Sequence, residues 1–348
     1  MALLAHYEAI LREAGEACCV LELQSGMRAL FTQRGARMLG LFPGPDEPNL
    51  LWTHSALNDL VAFREFVSAG EWNLGGERCW IAPEIQYNVG DRRDFWGTLH
   101  VPPAMDPGGY RLTASSNAVR FEAEMTLKAH NLAIGEKQLR VVRMIRPTES
   151  PLPVPAGVQF AGLAHTASLT ELNQSPAMSA IWNLVQLPAG GRLFIPTVGR
   201  AHAARYFGDP APDSLDSRDG CVQIALDGSR QYKVGYHTLS VAGRMAYWRE
   251  LADGRTSLLV RGFPNDPANS YVEEPPDHPG ANGHAIHVYN DGGEFGGTER
   301  FGEMECSGHT IGGRTDVSSS TDTFYLWVYV GAADVLRPLA QALSGALP

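Results

Sequence analysis

Between Val119 and Leu127 the chain alternates cleanly: Val119, Phe121, Ala123, Met125 and Leu127 are apolar, and Arg120, Glu122, Glu124 and Thr126 between them are polar. Extended backbone puts every second side chain on one face, so this stretch predicts a strand with one side in a core and the other in water. The texture recurs along the chain. Cys18–Leu23, Met27–Thr32 and Ala36–Phe42 are short apolar runs separated by Ser-Gly and Arg-Gly turns. Further strands are predicted at Tyr110–Ala114, Asn131–Ile134, Gln138–Arg146, Gly162–Leu172, Trp182–Leu187, Arg192–Pro196 and Val222–Leu226. Tyr232–Gly235, Arg244–Leu251, Thr256–Arg261, Ala285–Tyr289, Gly302–Ser307 and Thr323–Val330 continue the series. Helical spacing is confined to residues 2–14, Asn58–Ala69 and Ala333–Leu343. There is no repeated βα unit and so no case for a parallel doubly wound sheet. Roughly twenty short strands punctuated by glycine and proline predict an all-β fold, a large antiparallel sandwich with short N- and C-terminal helices.

A chain of 348 residues is long enough for two average domains, but large all-β architectures reach this size as one unit. The Pro-rich passage Pro147–Pro155 is the candidate linker. The strand texture resumes unchanged beyond it, so it is read as a long connection between sheets, and residues 1–348 as a single domain. Charged residues make up 19% and hydrophobic ones 44%, the balance of an ordinary globular chain. The net charge of -10 argues against a protein that reads a nucleic-acid backbone. Five cysteines, odd in number and without CxxC spacing, imply neither a disulfide framework nor a zinc site, and no cofactor is expected. The N-terminus carries His6, Glu8, Arg12 and Glu13 where a signal peptide needs an apolar run, and no segment has the ~18 consecutive apolar residues of a membrane helix. A cytoplasmic protein, independent of membranes, is the expectation.

Two glycine-flanked stretches concentrate groups able to do chemistry. The first is WNLGGERCWIAPEIQYN (Trp72–Asn88), with Gly75 and Gly76 leading into Glu77, Arg78, Trp80 and Glu84. Trp offers a flat apolar face, Arg a fork of donors and Glu an acceptor or proton carrier; the alternative is a tight turn with its charges in solvent. The second is EFGGTERFGEMECSGHTIGG (Glu294–Gly313). As a strand, Phe301–Cys306 sets Phe301, Glu303 and Glu305 on one face. Two carboxylates there fit an exposed polar surface, or a concave site that uses one of them as base or hydroxyl acceptor.

Together with YKVG (Tyr232–Gly235), these stretches resemble the galactose-mutarotase-like superfamily across roughly residues 20–330, closest to its branch with GG-x-R-x-W-x-A-P-E followed late by an E-L-E-type strand. The resemblance implies a β-supersandwich whose concave face binds carbohydrate. Met304-Glu305 matches the L-E strand end that supplies the base in aldose 1-epimerases, which nominates Glu305 as base and Arg78 as its catalytic companion. Trp80, Glu84, Lys233 and Glu303 are then substrate-binding candidates. The pattern departs at the two mutarotase histidines: Leu74 and Ser179 stand in their places.

The remaining candidates are weaker. His54, His100, His165 and His237 near strand ends read as hydrogen-bonded structural residues. His284 and His287, three apart on a strand, are expected on opposite faces and so not as a metal pair. Asp291, Glu294 and Glu299 form either a calcium loop or, with no EF-hand spacing, a solvated one. Three functions follow: an aldose-1-epimerase-like isomerase, a non-catalytic sugar-binding or sensing protein, or a lyase or hydrolase on the same fold.

Overall fold

The computed structural model describes residues 3–132, 135–295 and 299–345, and the alternating stretches become strands in two antiparallel nine-stranded sheets. The first sheet contains β1 (Cys18–Glu22), β2 (Arg28–Thr32), β3 (Arg37–Phe42), β4 (Glu77–Ala82), β9 (Ala180–Pro188), β11 (Ala204–Phe207), β13 (Tyr232–His237), β16 (His284–Asn290) and β17 (Phe301–Ser307). Its spatial order is β1-β2-β3-β4-β9-β17-β16-β13-β11. The second sheet contains β5 (Arg111–Ser115), β6 (Ala118–Lys128), β7 (Glu136–Pro147), β8 (Gln159–Glu171), β10 (Gly191–Arg200), β12 (Leu215–Leu226), β14 (Arg244–Glu250), β15 (Thr256–Gly262) and β18 (Ser319–Gly331). Its order is β12-β10-β14-β15-β18-β8-β7-β6-β5. Both sheets draw strands from both halves of the chain.

The inward faces meet in a continuous apolar core, with Ile81, Val185, Met304 and Val288 from the first sheet against Phe121, Val141, Leu163 and Leu326 from the second. Helices cover parts of the outward faces. In α1 (Leu4–Glu13) the i, i+3, i+4 spacing of Tyr7, Ile10 and Leu11 makes one apolar stripe, which packs with Phe63 and Phe66 of α2 (Leu60–Ser68) over Leu30, Leu39 and Phe42. α5 (Ala333–Ser344) lays Leu336, Leu339 and Leu343 over Phe194, Leu258 and Tyr329 of the second sheet and ends on Gly345 in the left-handed region. Among the described residues, the outward face of β4, β9, β17, β16 and β13 carries no such helix. It is bordered instead by the short α3 (Glu84–Tyr87) and α4 (Phe95–Thr98).

Two sequence expectations need correction here. The Pro147–Pro155 passage does not run between sheets: it joins β7 to β8, which are neighbours in the second sheet. Asn131 is not in a strand but in the turn between β6 and β7, at φ +56°, where its amide donates to Ile85 O and Val89 O; residues 133–134 of that expectation lie outside the described residues. β4 and β11 are strands that the sequence expectations did not include.

Candidate functional site

Gly75 and Gly76 place the first glycine-flanked stretch. Both have positive φ, and a β-carbon on either would collide with the backbone of Trp52–Thr53 or of Met38. The close approach lets β4 enter the sheet between β3 and β9. Alternation then sends Arg78 and Trp80 outward and Glu77, Cys79 and Ile81 inward. Across the sheet the same outward face presents Trp182 and Leu184 on β9, Phe301, Glu303 and Glu305 on β17, Tyr289 on β16 and Lys233 on β13. The register sets Glu305 between Leu184 and His287, and Glu303 between Gln186 and Tyr289.

Arg78, Trp80, Glu84, Lys233, Glu303 and Glu305, which span most of the sequence, line one narrow cleft with a cavity volume of about 50 Å³. Its floor is a charge network. Glu305 is 1% exposed; its Oε2 accepts from Trp182 Nε1 at 2.9 Å and lies 3.2 Å from Lys233 Nζ. Lys233 also donates to Glu84 Oε2 at 3.0 Å and rides over the Trp182 ring, 4.3 Å from its centroid. Arg78 Nη2 donates to Glu303 Oε1 at 3.1 Å, its guanidinium stacks 4.2 Å over Trp80, and its buried Nε and Nη1 have no protein partner among the described residues. Trp80 is held from behind by its Nε1–H on Asp106 Oδ2 at 3.0 Å, and Asp106 is itself paired with Arg37.

Burial pushes the Glu305 carboxyl above the usual carboxylate range. Lys233 pulls it back, and the neighbouring Glu303 and Glu84 push it up again. Glu273, whose Oε2 accepts the Glu84 backbone N–H at 2.7 Å, is raised in the same way by burial against the pull of Lys233. The walls are aromatic. Phe95 and Trp96 of α4 pack against Phe207 on β11, at 5.6 and 4.8 Å between centroids, and Trp72 meets Phe295 at 5.8 Å. Tyr289 and Phe301 complete the lining. The arrangement offers aromatic faces for an apolar ring surface above carboxylate and guanidinium groups for hydroxyls.

Behind Glu305 lies a group the sequence reading misplaced. His284 and His287 do not face opposite ways. The register shifts between Tyr236 and His237, so the ladder skips Ala285 and both rings turn to Tyr206. Tyr206 OH bonds His287 Nε2 at 2.9 Å and His284 Nδ1 at 3.0 Å, reaching over Gly235, where a β-carbon would meet both the Tyr206 and His287 rings. His287 Nδ1 lies 3.9 Å from Glu305 Oε2, and burial followed by Lys233 drives its imidazole well below the usual histidine range, so it is neutral. A second register shift, at Tyr206, lets Tyr206 and Phe207 both serve this face.

The remaining candidates fall elsewhere. Glu77 turns away from the cleft into the inter-sheet core. Leu74 packs under α1 and α2, and the Ser179 hydroxyl bonds Tyr87 OH at 2.6 Å. His54 and His237 accept backbone N–H groups, His100 bonds Val101 O, and His165 sits beside Glu77. Asp291 takes the N–H groups of Gly293 and Phe295, and Glu294 that of Gly292, while residues 296–298 of that loop lie outside the described residues. Among the described residues there is no group of three or more His, Cys, Asp or Glu able to hold a metal, and no helix long and apolar enough to cross a membrane. Phe95, Trp96, Phe207 and Glu273 were missed because they lie in a four-residue helix, a four-residue strand or a loop, none with a periodic signal; Tyr289 stood at an outward position of a predicted strand.

Residues 64–312 match a family of unknown function (DUF6786). The chain belongs to this family. No curated protein matches it by sequence. Among solved structures it is similar to a candidate aldose 1-epimerase of Escherichia coli K12, with TM-score 0.51 and 13% identity over 90% of this chain and 99% of that one. A galactose mutarotase-like protein from Lactobacillus casei ATCC 334 gives 0.46 and 11% over 90% and 99%. A second candidate aldose 1-epimerase, from Klebsiella pneumoniae, gives 0.48 and 10% over 96% and 85%. The Escherichia coli likeness shows the fold: the galactose-mutarotase-like β-sandwich that the sequence motifs resemble.

Proposed function

We propose that the protein binds a sugar in this cleft and interconverts its anomers, as an aldose-1-epimerase-like isomerase. The observation that carries the reading is Glu305, a carboxyl at the floor of an aromatic-walled cleft, raised by burial toward the range in which it exchanges protons near neutral pH. As base, Glu305 takes the proton of the anomeric hydroxyl. The C1–O5 bond breaks with its electron pair moving to the ring oxygen, to which the partner-free N–H groups of Arg78 donate hydrogen bonds. Trp80, Glu84, Lys233 and Glu303 hold the remaining hydroxyls and the ring face.

A binding-only role is favoured by one specific observation: the positions of the two mutarotase histidines hold Leu74, packed under the N-terminal helices, and Ser179, engaged by Tyr87. Calorimetric titration against a panel of aldoses, followed by polarimetry on any ligand found, separates the two. The isomerase reading expects wild-type catalysis and a fall of about 10²–10⁴-fold in Glu305→Gln with binding kept. Tight binding by wild type with the mutarotation rate left at its uncatalysed value ends the isomerase reading and leaves the binder.

A further inference from the structure

The inward faces of the sheets carry a second set of charges, unrelated to the cleft. Glu77 of β4, Arg143 of β7, His165 of β8 and Arg261 of β15 meet in the middle of the sandwich, each at most 1% exposed. Both Glu77 oxygens accept from Arg143 Nη2, at 2.8 and 2.6 Å; Oε1 also accepts from Asn183 Nδ2 and lies 3.3 Å from His165 Nδ1. That carboxylate is saturated. Arg261 is attracted to it but not hydrogen-bonded: Glu77 Oε1 is 3.7 Å from Nη2, too far for a hydrogen bond, and among the described residues Nε, Nη1 and Nη2 of Arg261 have no protein partner. Arg143 Nε and His165 Nε2 are also without one.

Charge makes the problem sharper than the missing hydrogen bonds. Burial pushes the Glu77 carboxyl up, but Arg143, His165 and Arg261 outweigh it and hold it well below the carboxylate range, so it is ionised. Burial lowers the His165 imidazole despite Glu77, and raises the adjacent Cys79 and Cys306 thiols. Those three groups are neutral. Arg37 and Asp106 nearby cancel. Within this cluster two guanidiniums against one carboxylate leave one positive charge, while the buried ions Asp322 and Lys137 are paired elsewhere, with His309 and Glu171. The acid excess of the cleft lies on the opposite face of the same sheet, turned toward Lys233 and Arg78. Water satisfies donors but leaves that charge unbalanced, and an unpaired buried ion costs several kcal/mol.

We propose that the inter-sheet core binds a small monovalent anion, a halide, at the Arg261 guanidinium beside Arg143. One negative charge balances the cluster, a spherical acceptor takes the fork of Arg261 donors, and sheets packed about 10 Å apart admit nothing much larger. This site is independent of the sugar cleft and of what the cleft does.

The test replaces sodium chloride with sodium gluconate at constant ionic strength and follows thermal unfolding. Wild type should show a saturable rise in Tm with chloride, about 3–5 °C at a hundredfold excess over Kd. Arg261→Met, which removes the excess charge, should unfold at the same temperature in both salts. Crystals of wild type grown in sodium bromide should show an anomalous peak within hydrogen-bonding distance of Arg261, a readout that does not depend on any variant folding. Equal wild-type unfolding temperatures in the two salts, a chloride effect that persists in Arg261→Met, or water alone around Arg261 in the bromide crystal each overturn the proposal.

Discussion

Glu77 and Arg78 are consecutive residues on opposite faces of β4, and the clusters they join are built to opposite rules. On the outward face four carboxylates, Glu84, Glu273, Glu303 and Glu305, surround two cations, Arg78 and Lys233. On the inward face two guanidiniums surround one carboxylate. The outward carboxyls border a cavity and can take up protons: burial first, and the neighbouring carboxylates after it, raise Glu305 and Glu273, while the cations rest on indole faces. The inward excess borders nothing open. Arginine does not give up its proton, so only a counter-ion relieves it. An acid excess beside a cavity is a means of handling protons; a sealed basic excess is a means of holding an anion.

The largest expected effect comes from removing the carboxylate of the inward cluster. Glu77→Gln leaves Arg143 and Arg261 buried with no anionic protein partner and should cost about 3–5 kcal/mol in chemical denaturation. Glu305→Gln on the outward face, where the carboxyl is already pushed toward its neutral form, should cost no more than about 1 kcal/mol. Equal losses in the two variants would break the distinction between the faces. Next in size, Arg78→Met removes a charged donor from the cleft and should weaken sugar binding by about 10–100-fold, the worth of a charged hydrogen bond. Calorimetry that finds affinity unchanged would take Arg78 out of the site.

The two faces were unequally legible in sequence. Arg78, Trp80, Glu303 and Glu305 stood out because they sit among glycines in stretches that already carry a resemblance. Period two in the predicted strand Phe301–Cys306 already set Glu303 and Glu305 on one face, whereas Arg78 and Trp80 joined them only through β4, which was not predicted as a strand. The inward charges gave no such signal. Arg143 in Val-Val-Arg-Met and Arg261 at the end of Leu-Leu-Val-Arg look like ordinary solvent-facing strand residues, and only the pairing of the sheets shows that they point inward. His284 and His287 were misread for a related reason: a register shift cancels the alternation, and shifts are set by the partner strand. Asn131 defeated the pattern because its conformation is stabilised by its own amide on Ile85 and Val89, contacts distant in sequence.

A smaller effect appears as pH dependence. A carboxyl raised in the folded state keeps its proton where the unfolded chain has lost it. Its contribution to stability is therefore complete below the ordinary carboxylate range and is lost as pH rises through the raised value. Glu305 faces Lys233, Glu84 and Glu303, with neutral His287 behind it, and Glu273 titrates upward beside Glu84. Wild-type stability should thus decline from mildly acidic to mildly alkaline pH, and Glu305→Gln should flatten the slope without abolishing it, because Glu273 remains. The isomerisation rate should rise over the same range as the base form appears. Identical slopes in wild type and Glu305→Gln would show that Glu305 does not titrate there.

The smallest effect concerns the connection Pro147–Pro155, where a protease site inserted between Pro153 and Val154 should leave the molecule nearly unchanged after cutting. Both residues are exposed, and the passage links neighbouring strands β7 and β8 without crossing between sheets. Each cluster nonetheless straddles the cut. Glu77 and Arg143 precede it while His165 and Arg261 follow; Arg78, Trp80 and Glu84 precede it while Lys233, Glu303 and Glu305 follow. If the chain is one cooperative unit, the fragments should elute together in size exclusion, keep the sugar and chloride responses of the intact chain, and separate only in denaturant. A folded, monomeric fragment of residues 1–150 would mean that the halves are self-sufficient. Glu77 and Arg143 would then be stable without Arg261, and the inward excess of charge would be an accident of docking rather than a requirement of the fold.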